Sequence, residues 1–441
     1  MNGPAGGFSG GPRGAGPPEC DLFDPDFYFG DPIPHYRWLR AEAPVYWNAL
    51  AFTDHGRRGA QPHAPEEPGG GRAGAPEPPR DTGFWVLSRH ADVCEVGRQP
   101  DVFSSAKGII VESPTTSMIN MMTAGSLIGS DPPAHKELRR AVLDVFKPRA
   151  VTESEPVVRR HVTTLLDRIT PGEPFDLIAA VAAPLPTWVV GDLLATPEKD
   201  RHRLEELVDA ALSYADPGTS FEEIGPDALT TMFEYFSRLV AQRRANPGGD
   251  LVSAVLEGTL NGVPIGDGEA IQSSFVLLVA GTETVRTVIA NGLLTLLDHP
   301  DAEAQLRDDR SLLPSAIDEL MRYRPPVNYF CRVAQSDYEL RGTKIIAGQQ
   351  VMMHYAAANR DEEVFGPDAD ELVLTRHPNP HLSFGFGEHA CIGAQLGRLQ
   401  VRVFFEEWFD RFGALELAEP PERFRNTNVN GIKRMVSIAR R

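Results

Sequence analysis

The stretch FGFGEHACIG, residues 384–393, combines one cysteine with three glycines just before an apparent helix. A cysteine becomes a strong metal ligand as the thiolate, and the free N–H groups of a helix N-terminus stabilise that charge. Gly385 and Gly387 permit backbone conformations that other residues avoid, so this loop can approach a flat ligand closely. The alternative is an ordinary turn in which Cys391 is a small buried hydrophobic residue.

A second candidate is AGTET, residues 280–284, which follows the apolar run FVLLV on a predicted helix. Polar side chains among apolar ones cost free energy unless they have partners, so Thr282, Glu283 and Thr284 need an explanation. The threonines could bond back to the preceding turn and Glu283 could face solvent. The residues alone leave a structural and a functional role open.

Two further pairs of residues carry charges or donor groups one helical turn apart. Glu319 and Arg322 are one helical turn apart and can pair on one face, although such pairs are commonly exposed salt bridges. His135 and Arg139 are four residues apart on another predicted helix. Arg and His donate strong charge-assisted hydrogen bonds to carboxylates, so these residues could hold an acidic ligand.

The elements that must position these residues are mostly helical. Apolar residues recur at three-to-four spacing over residues 132–146, 155–169, 226–245, 268–297, 312–324 and 392–412. Strand-like runs occupy residues 44–47, 84–87, 338–345, 349–356 and 430–439. Residues 1–19 are rich in Gly and Pro and predict a flexible tail, and the low-complexity stretch 53–81 predicts an oversized hairpin loop. We therefore expect a single domain over residues 20–441.

Composition narrows the class of protein. The formal charge of -18 argues against general binding to nucleic acid or to an anionic membrane surface. The four cysteines, Cys20, Cys94, Cys331 and Cys391, form no CxxC pair, so neither a disulfide scaffold nor a Cys-rich zinc site is expected. No apolar run is long enough for a membrane span, and the N-terminus does not read as a leader, so we expect a cytoplasmic protein.

Together, and in this order, the motifs resemble those of the cytochrome P450 family over about residues 21–438. The haem-binding loop of that family, FGxGxHxCxG, is matched by Phe384, Gly385, Gly387, His389, Cys391 and Gly393. The resemblance implies a mainly α fold with small β-sheets, in which haem b lies between the long oxygen-activating helix and the helix after the Cys loop. It also implies that the Cys391 thiolate is the axial ligand of the haem iron.

The resemblance assigns roles to the other candidates. Glu283 and Thr284 are expected to be catalytic, as a proton relay beside bound oxygen. Glu319, Arg322 and Arg376 are expected to be structural. The expected cofactor-binding residues are His135, Arg139, Ala280, Arg332, His381, Phe384, Gly385, Cys391 and Gly393, of which His135, Arg139, Arg332 and His381 are expected at the haem propionates.

The reaction that the resemblance implies is monooxygenation with O₂. No glycine fingerprint of a flavin or nicotinamide module follows a predicted strand, so electrons are expected from a separate ferredoxin and ferredoxin reductase. Basic residues could steer an acidic ferredoxin, or could simply be solvated helix faces. They are residues 135–140 together with Lys147, Arg149, Arg398 and Arg402.

The expected substrate is apolar. The predicted pocket residues are Met118, Ile119, Met121, Met122, Val327 and Val429. Several runs also resemble the actinobacterial subgroup that oxidises steroid side chains and methyl-branched lipids, so a sterol, terpenoid or fatty chain ranks first and a macrolide or other secondary metabolite second. A peroxygenase usually lacks the acid and alcohol pair, and a haem-thiolate sensor should carry an output domain; both rank lower.

Overall fold

The computed structural model of the protein describes residues 20–50, 82–112, 116–213 and 221–441. Only the backbone is described for residues 117, 118, 210–213 and 221–229. The predicted tail and the 53–81 stretch therefore lie outside the described residues. The fold is mainly α with several small β-sheets, which confirms the predicted class.

The helices and strands follow one another along the chain as two interleaved series. The helices are α1 Pro25–Phe29, α2 Ile33–Glu42, α3 His90–Gly97, α4 Ser117–Thr123, α5 Ala134–Val142, α6 Pro148–Leu166, α7 Pro184–Leu193, α8 Arg201–Ser213, α9 Phe221–Ala245, α10 Leu251–Leu256, α11 Asp267–Asp298, α12 Pro300–Asp308, α13 Leu313–Tyr323, α14 Tyr355–Ala358, α15 Glu362–Phe365 and α16 Ala394–Arg411. The strands are β1 Val45–Ala49, β2 Gly83–Leu87, β3 Phe103–Ser104, β4 Pro174–Asp176, β5 Thr259–Leu260, β6 Val263–Pro264, β7 Tyr329–Ala334, β8 Tyr338–Leu340, β9 Thr343–Ile345, β10 Gln350–His354, β11 Ala414–Leu417, β12 Glu422–Arg423, β13 Ile432–Arg434 and β14 Val436–Arg440.

Helix α11 is the longest helix of the described residues and packs against α7, α9, α13 and α16. Asp267 and Glu269 place negative charge in its first turn, where the helix dipole favours it. The helix ends at Asp298, just before Pro300 begins α12. Within the described part of the chain it alone is long and apolar enough to cross a membrane, but 72% of its apolar window is buried, as in a core helix.

The core between α11 and α16 is aromatic. Phe404, Phe405 and Trp408 of α16 are fully buried, and the rings of Phe404 and Trp408 stack with centroids 5.7 Å apart. A Cβ on Gly292 of α11 would lie 3.0 Å from the Phe405 ring, so this glycine lets the two helices approach closely. Burial of each large side chain contributes roughly 1.5–3 kcal/mol to folding, so this contact holds the two helices in a fixed relation.

The largest sheet has the strand order β1-β2-β10-β7-β3. Strands β1 and β2 pair antiparallel from Val45↔Leu87 to Ala49↔Gly83, so the two runs on either side of the low-complexity stretch do form one hairpin ladder. Strand β10 is parallel to β2 and antiparallel to β7, where Val351 pairs with Arg332. The central strands thus hold Arg332 in a fixed register.

Candidate active site

The Cys loop is shaped by two glycines. Gly385 and Gly387 have φ angles of 70° and 75°, a left-handed conformation that other residues adopt at a cost. A Cβ on Gly387 would also collide with the carbonyl oxygen of Gly97 at the end of α3. Arg98 stacks on the Phe386 ring, with its guanidinium carbon 4.5 Å from the ring centroid. The loop is therefore clamped against α3.

Cys391 lies two residues before Gly393, the N-cap residue of α16. Its N–H donates to the carbonyl oxygen of Phe384 at 2.8 Å, which closes the loop. The side chain is accessible to a water-sized probe, yet burial raises the pKa of the thiol, opposed by the Gly393 N–H and by the charges of Arg139 and Arg398. The Cys391 thiol is thus accessible, although the surrounding protein removes much of its hydration.

Helix α11 exposes one stripe in its middle. Ala280 is accessible and Thr284, one turn later, is partly accessible, whereas most of the helix beyond is buried. The Thr284 hydroxyl donates to the Ala280 carbonyl oxygen at 3.2 Å. Val285 of α11 and Phe384 of the Cys loop each lie 3.9 Å from the position of a Cβ on Gly397. The accessible stripe and the Cys loop are thus parts of the same region.

Glu283 is buried, and it contacts different residues from those that Thr284 contacts. Its Oε1 accepts a hydrogen bond from the Thr287 hydroxyl at 3.2 Å, and its Oε2 has no hydrogen-bond partner among the described residues. Arg286 Nη1 lies 3.9 Å from Oε2 and is bonded to Asp209 of α8. Burial raises the pKa of Glu283 to about 7, with Arg286 acting in the opposite direction. This carboxyl group can therefore exchange a proton near neutral pH.

A small cavity borders Glu283 between α7, α8 and α11. Its volume of about 10 Å³ is close to the space that one water molecule needs. It is lined by Ala183, Thr187, Glu205, Val208, Asp209, Thr282, Glu283 and Arg286. The polar lining makes a hydrated contact between Glu283 and α8 feasible.

Donor side chains gather on the other side of the Cys loop. Arg332 is 6% exposed, its Nη1 donates to the Cys331 carbonyl oxygen at 2.7 Å, and it has no carboxylate partner among the described residues. The His135 and His389 rings lie with centroids 4.1 Å apart. Arg139 belongs to the same cluster, because its charge lowers the pKa of both imidazoles.

Burial is the main cause of low imidazole pKa values in this cluster. It lowers the pKa of His135 to about 4, with Arg139 adding to the effect, and the pKa of His389 to about 2, with Arg332 and then His135 adding to it. Both rings are neutral at pH 7 and can each donate one N–H. His135 Nδ1 has no partner among the described residues. An uncompensated buried arginine is costly, so the cluster calls for an anionic ligand.

The Glu319–Arg322 pair is completely buried. Arg322 Nε and Nη2 donate to the two carboxylate oxygens of Glu319, each at 2.8 Å, and Arg376 Nε lies 3.2 Å from both oxygens. The remaining Arg322 N–H groups reach the carbonyl oxygens of Asn359, Ala369 and Glu371. The structure thus brings all three predicted structural residues together, and the pair ties α13 to the segment before the Cys loop.

Comparison with known proteins decides the family. Residues 217–434 match the family model for cytochrome P450. The chain is 36% identical over 434 residues to cytochrome P450 126 of Mycobacterium tuberculosis, covering 96% of this chain and 98% of that protein. The chain belongs to the cytochrome P450 family.

Two further similarities span almost the whole P450. Linalool 8-monooxygenase of Pseudomonas putida is 33% identical over 431 residues, which is 94% of this chain and 97% of that protein. The structure of cytochrome P450 CYP268A2 of Mycobacterium marinum, in complex with pseudoionone, matches with a TM-score of 0.82 and 30% identity, over 97% of this chain and 100% of that one. The predicted family, monooxygenase class and haem b cofactor are thereby confirmed.

The residues of this P450 fit a haem. Cys391 presents an accessible thiol, and the accessible stripe of α11 belongs to the same region. The cluster of His135, Arg139, Arg332 and His389 supplies donors without a carboxylate of the chain to receive them among the described residues. A haem carries two propionates, which are carboxylates of the kind that such donors bind.

The structure does not bring His381 into the donor cluster with His135, Arg139 and Arg332. Its ring lies 3.4 Å, through Nε2, from Asp318 Oδ1 on α13, and its Nδ1 accepts from the Ser383 N–H at 3.3 Å. His389 occupies the place in the donor cluster that we expected for His381. The spacing could have revealed this, because His389 is the histidine of the matched FGxGxHxCxG motif.

Most of the predicted basic cluster is paired within the P450. Ion pairs join Lys136 to Glu388, Lys147 to Asp144, Arg149 to Glu153, Arg398 to Asp318, and Arg402 to both Glu155 and Glu406. Arg139 and Arg140 have no ion-pair partner in the part of the chain that the structure describes. The net charge available to steer an acidic partner is therefore smaller than the sequence suggests.

The predicted pocket residues differ in how far they are buried. Val327 and Val429 form an isolated antiparallel bridge, and Ile119 and Met122 are partly buried on α4. Met121 is 64% exposed on that helix and therefore does not belong with the buried group. The side chain of Met118 lies outside the described part.

Proposed function

We propose that this P450 hydroxylates an apolar small molecule of terpenoid, steroid or fatty-chain type, with electrons from a ferredoxin and its reductase. The observation that carries the proposal is the apolar character of Ile119, Met122, Val327 and Val429. Gln272 of α11 donates to the backbone carbonyl oxygens of Met122 and Ala124, at 2.8 and 2.6 Å, which holds α4 against the oxygen-activating helix. Linalool, for which one similar protein is named, and pseudoionone, which is bound in the similar structure, are terpenoid-type compounds and support the same substrate class.

The Cys391 thiolate would ligate the haem iron, and the donor cluster of His135, Arg139, Arg332 and His389 would bind the propionates. Haem, when bound, supplies the activation of O₂ and the transfer of one oxygen atom to a C–H bond. Ala280, Gly385 and Gly393 would complete the cofactor contacts by leaving room for the macrocycle, and Phe384 would contribute an apolar ring.

Glu283 and Thr284 are the proposed proton relay, working from two sides of α11. Glu283 takes up a proton at Oε2, next to the water-sized cavity that reaches α8. The Thr284 hydroxyl is partly accessible and can hold a water molecule there. Transfer requires Glu283 to change rotamer, because its present contacts are with Thr287 and Arg286. A positioned acid of this kind typically contributes on the order of a hundredfold to ten-thousandfold.

The substrate proposal is tested with a terpene alcohol, a steroid, a long-chain fatty acid and a macrolide. We expect at least one of the first three compounds to change the haem absorbance spectrum on binding. That compound should yield hydroxylated product with NADPH, ferredoxin and reductase, and no product when ferredoxin is left out. Val429→Thr adds a hydroxyl to the apolar pocket and should weaken binding about tenfold. Val263→Thr, at a 64% exposed position on β6, is the matched control. Turnover of the macrolide alone would favour a secondary-metabolite substrate.

The relay is tested by Thr284→Ala and Glu283→Gln. The first should leave haem content unchanged but divert reducing equivalents to hydrogen peroxide, because proton delivery suffers. In wild type, coupling of electrons to product should fall as the pH rises through about 7, where Glu283 loses its proton, and Glu283→Gln should abolish this dependence. Thr295→Ala removes a similar back-bonded hydroxyl of α11 and serves as control. Full coupling in both relay variants would contradict the proposal.

A further inference from the structure

One oxygen of Asp318 holds two groups that the proposed function does not use. Asp318 Oδ1 accepts a hydrogen bond from Arg398 Nε at 2.7 Å and lies 3.4 Å from His381 Nε2. Asp318 is on α13, directly before Glu319, whereas Arg398 is on α16. The carboxylate thus joins the helix of the buried ion pair to the helix that follows the Cys loop.

Both groups contact the same aromatic ring. The Arg398 guanidinium carbon lies 4.3 Å from the centroid of the Phe384 ring, and the His381 ring centroid lies 5.7 Å from it. A cation at that distance from a ring face is attracted to it. The carbonyl oxygen of Phe384 in turn accepts the N–H of Cys391 at 2.8 Å. A chain of contacts therefore runs from Asp318 through Arg398 and Phe384 to Cys391.

We propose that Asp318 is a positioning residue that holds the Arg398 cation over Phe384 and thereby sets the reduction potential of the haem bound by Cys391. This inference rests on the proposed role of Cys391. A fixed positive charge near a haem favours the reduced form, which carries one more electron. Without Asp318, the long Arg398 side chain is free to turn toward solvent, where water screens its charge.

Two residues of this arrangement were predicted from the sequence to have other roles. Arg398 was expected in a ferredoxin-docking patch and His381 at a propionate, but the contacts of both side chains converge on Asp318 and Phe384. Arg402, one turn further along α16, is paired with Glu155 and Glu406 instead. The two arginines therefore have the same charge and helix but different partners.

The test is a redox titration of the haem-loaded protein, with haem content and thermal midpoint recorded for each variant. Arg398→Met should lower the ratio of reduced to oxidised haem at a given applied potential about tenfold, which is about 59 mV for one electron. Asp318→Ala should lower the potential in the same direction but by less, because it also removes the opposing negative charge of Asp318. The double variant should match Asp318→Ala, because in both the Arg398 cation no longer lies over Phe384.

Two further variants separate positioning from charge alone. Asp318→Asn keeps the acceptor oxygen, so Arg398 stays in place and the potential should not fall. Arg402→Met removes the same charge from the same helix and should leave the potential unchanged. An unchanged potential in Arg398→Met, or additive effects in the double variant, would overturn the inference. A wild-type protein without the haem-thiolate carbonyl band would instead overturn the role of Cys391 itself.

Discussion

Cys391→Ser should abolish the red-shifted band of the reduced, carbon monoxide-treated protein and with it the monooxygenase activity. The band arises from a thiolate ligand, and a serine hydroxyl does not ionise at neutral pH or donate comparable electron density to iron. The backbone hydrogen bond from residue 391 to Phe384 and the glycine conformations do not depend on the side chain. The variant should therefore fold, and haem can still bind through the donor cluster with an altered spectrum.

Cys94→Ser is the matched control for this experiment. Cys94 is buried on α3, where burial raises the pKa of its thiol to about 11, and its sulfur lies near His90. The same substitution there changes buried polarity but should leave the band in place. A band that survives Cys391→Ser would mean that another side chain ligates the iron.

Glu319→Gln should destabilise the protein by about 3–5 kcal/mol, the usual result of removing one partner from a buried ion pair. Arg322 would keep its charge in a fully buried site, and Arg376 would lose the same counter-ion. Total stabilities of domains are commonly about 5–15 kcal/mol, so this loss should lower the yield of folded, haem-containing protein sharply. Denaturant unfolding followed by haem absorbance measures the change.

The control for Glu319→Gln is Glu153→Gln. Glu153 pairs with Arg149 at 2.8 Å on α6, but both side chains are mostly exposed, and such pairs contribute little to stability. The same chemical change should leave the unfolding midpoint within error. Equal effects at the two positions would show that burial of the Glu319–Arg322 pair does not determine its contribution.

The sequence was most informative where chemistry depends on neighbouring residues. The Cys loop needs glycines, a cysteine and a following helix within ten residues, and strands β1 and β2 are predicted by short runs of β-forming residues, PVYW and FWVL. The fold class followed in the same way, because α11 and α16 carry long apolar repeats. These features are local, so tertiary structure had little scope to alter them.

Long-range choices were harder to predict. The pairing of Arg402 with Glu155, for example, joins α16 to the distant helix α6. The direction in which the Glu283 side chain points depends on α8, because the cavity and Arg286 lie between Glu283 and that helix. In each case the partner of the side chain lies in a remote segment, and no nearby residue pattern specifies which segment that is.

The donor cluster of α5, β7 and the Cys loop has a consequence for how the protein matures. The rings of His135 and His389 contact each other although more than half of the chain separates them. A contact between residues so far apart in sequence requires a long loop to close, and this costs entropy before the contact stabilises the chain. Such contacts are therefore expected to form late in folding. Haem consequently binds a nearly finished chain and stabilises it by mass action, so haem supply during synthesis should set how much of the protein survives proteolysis.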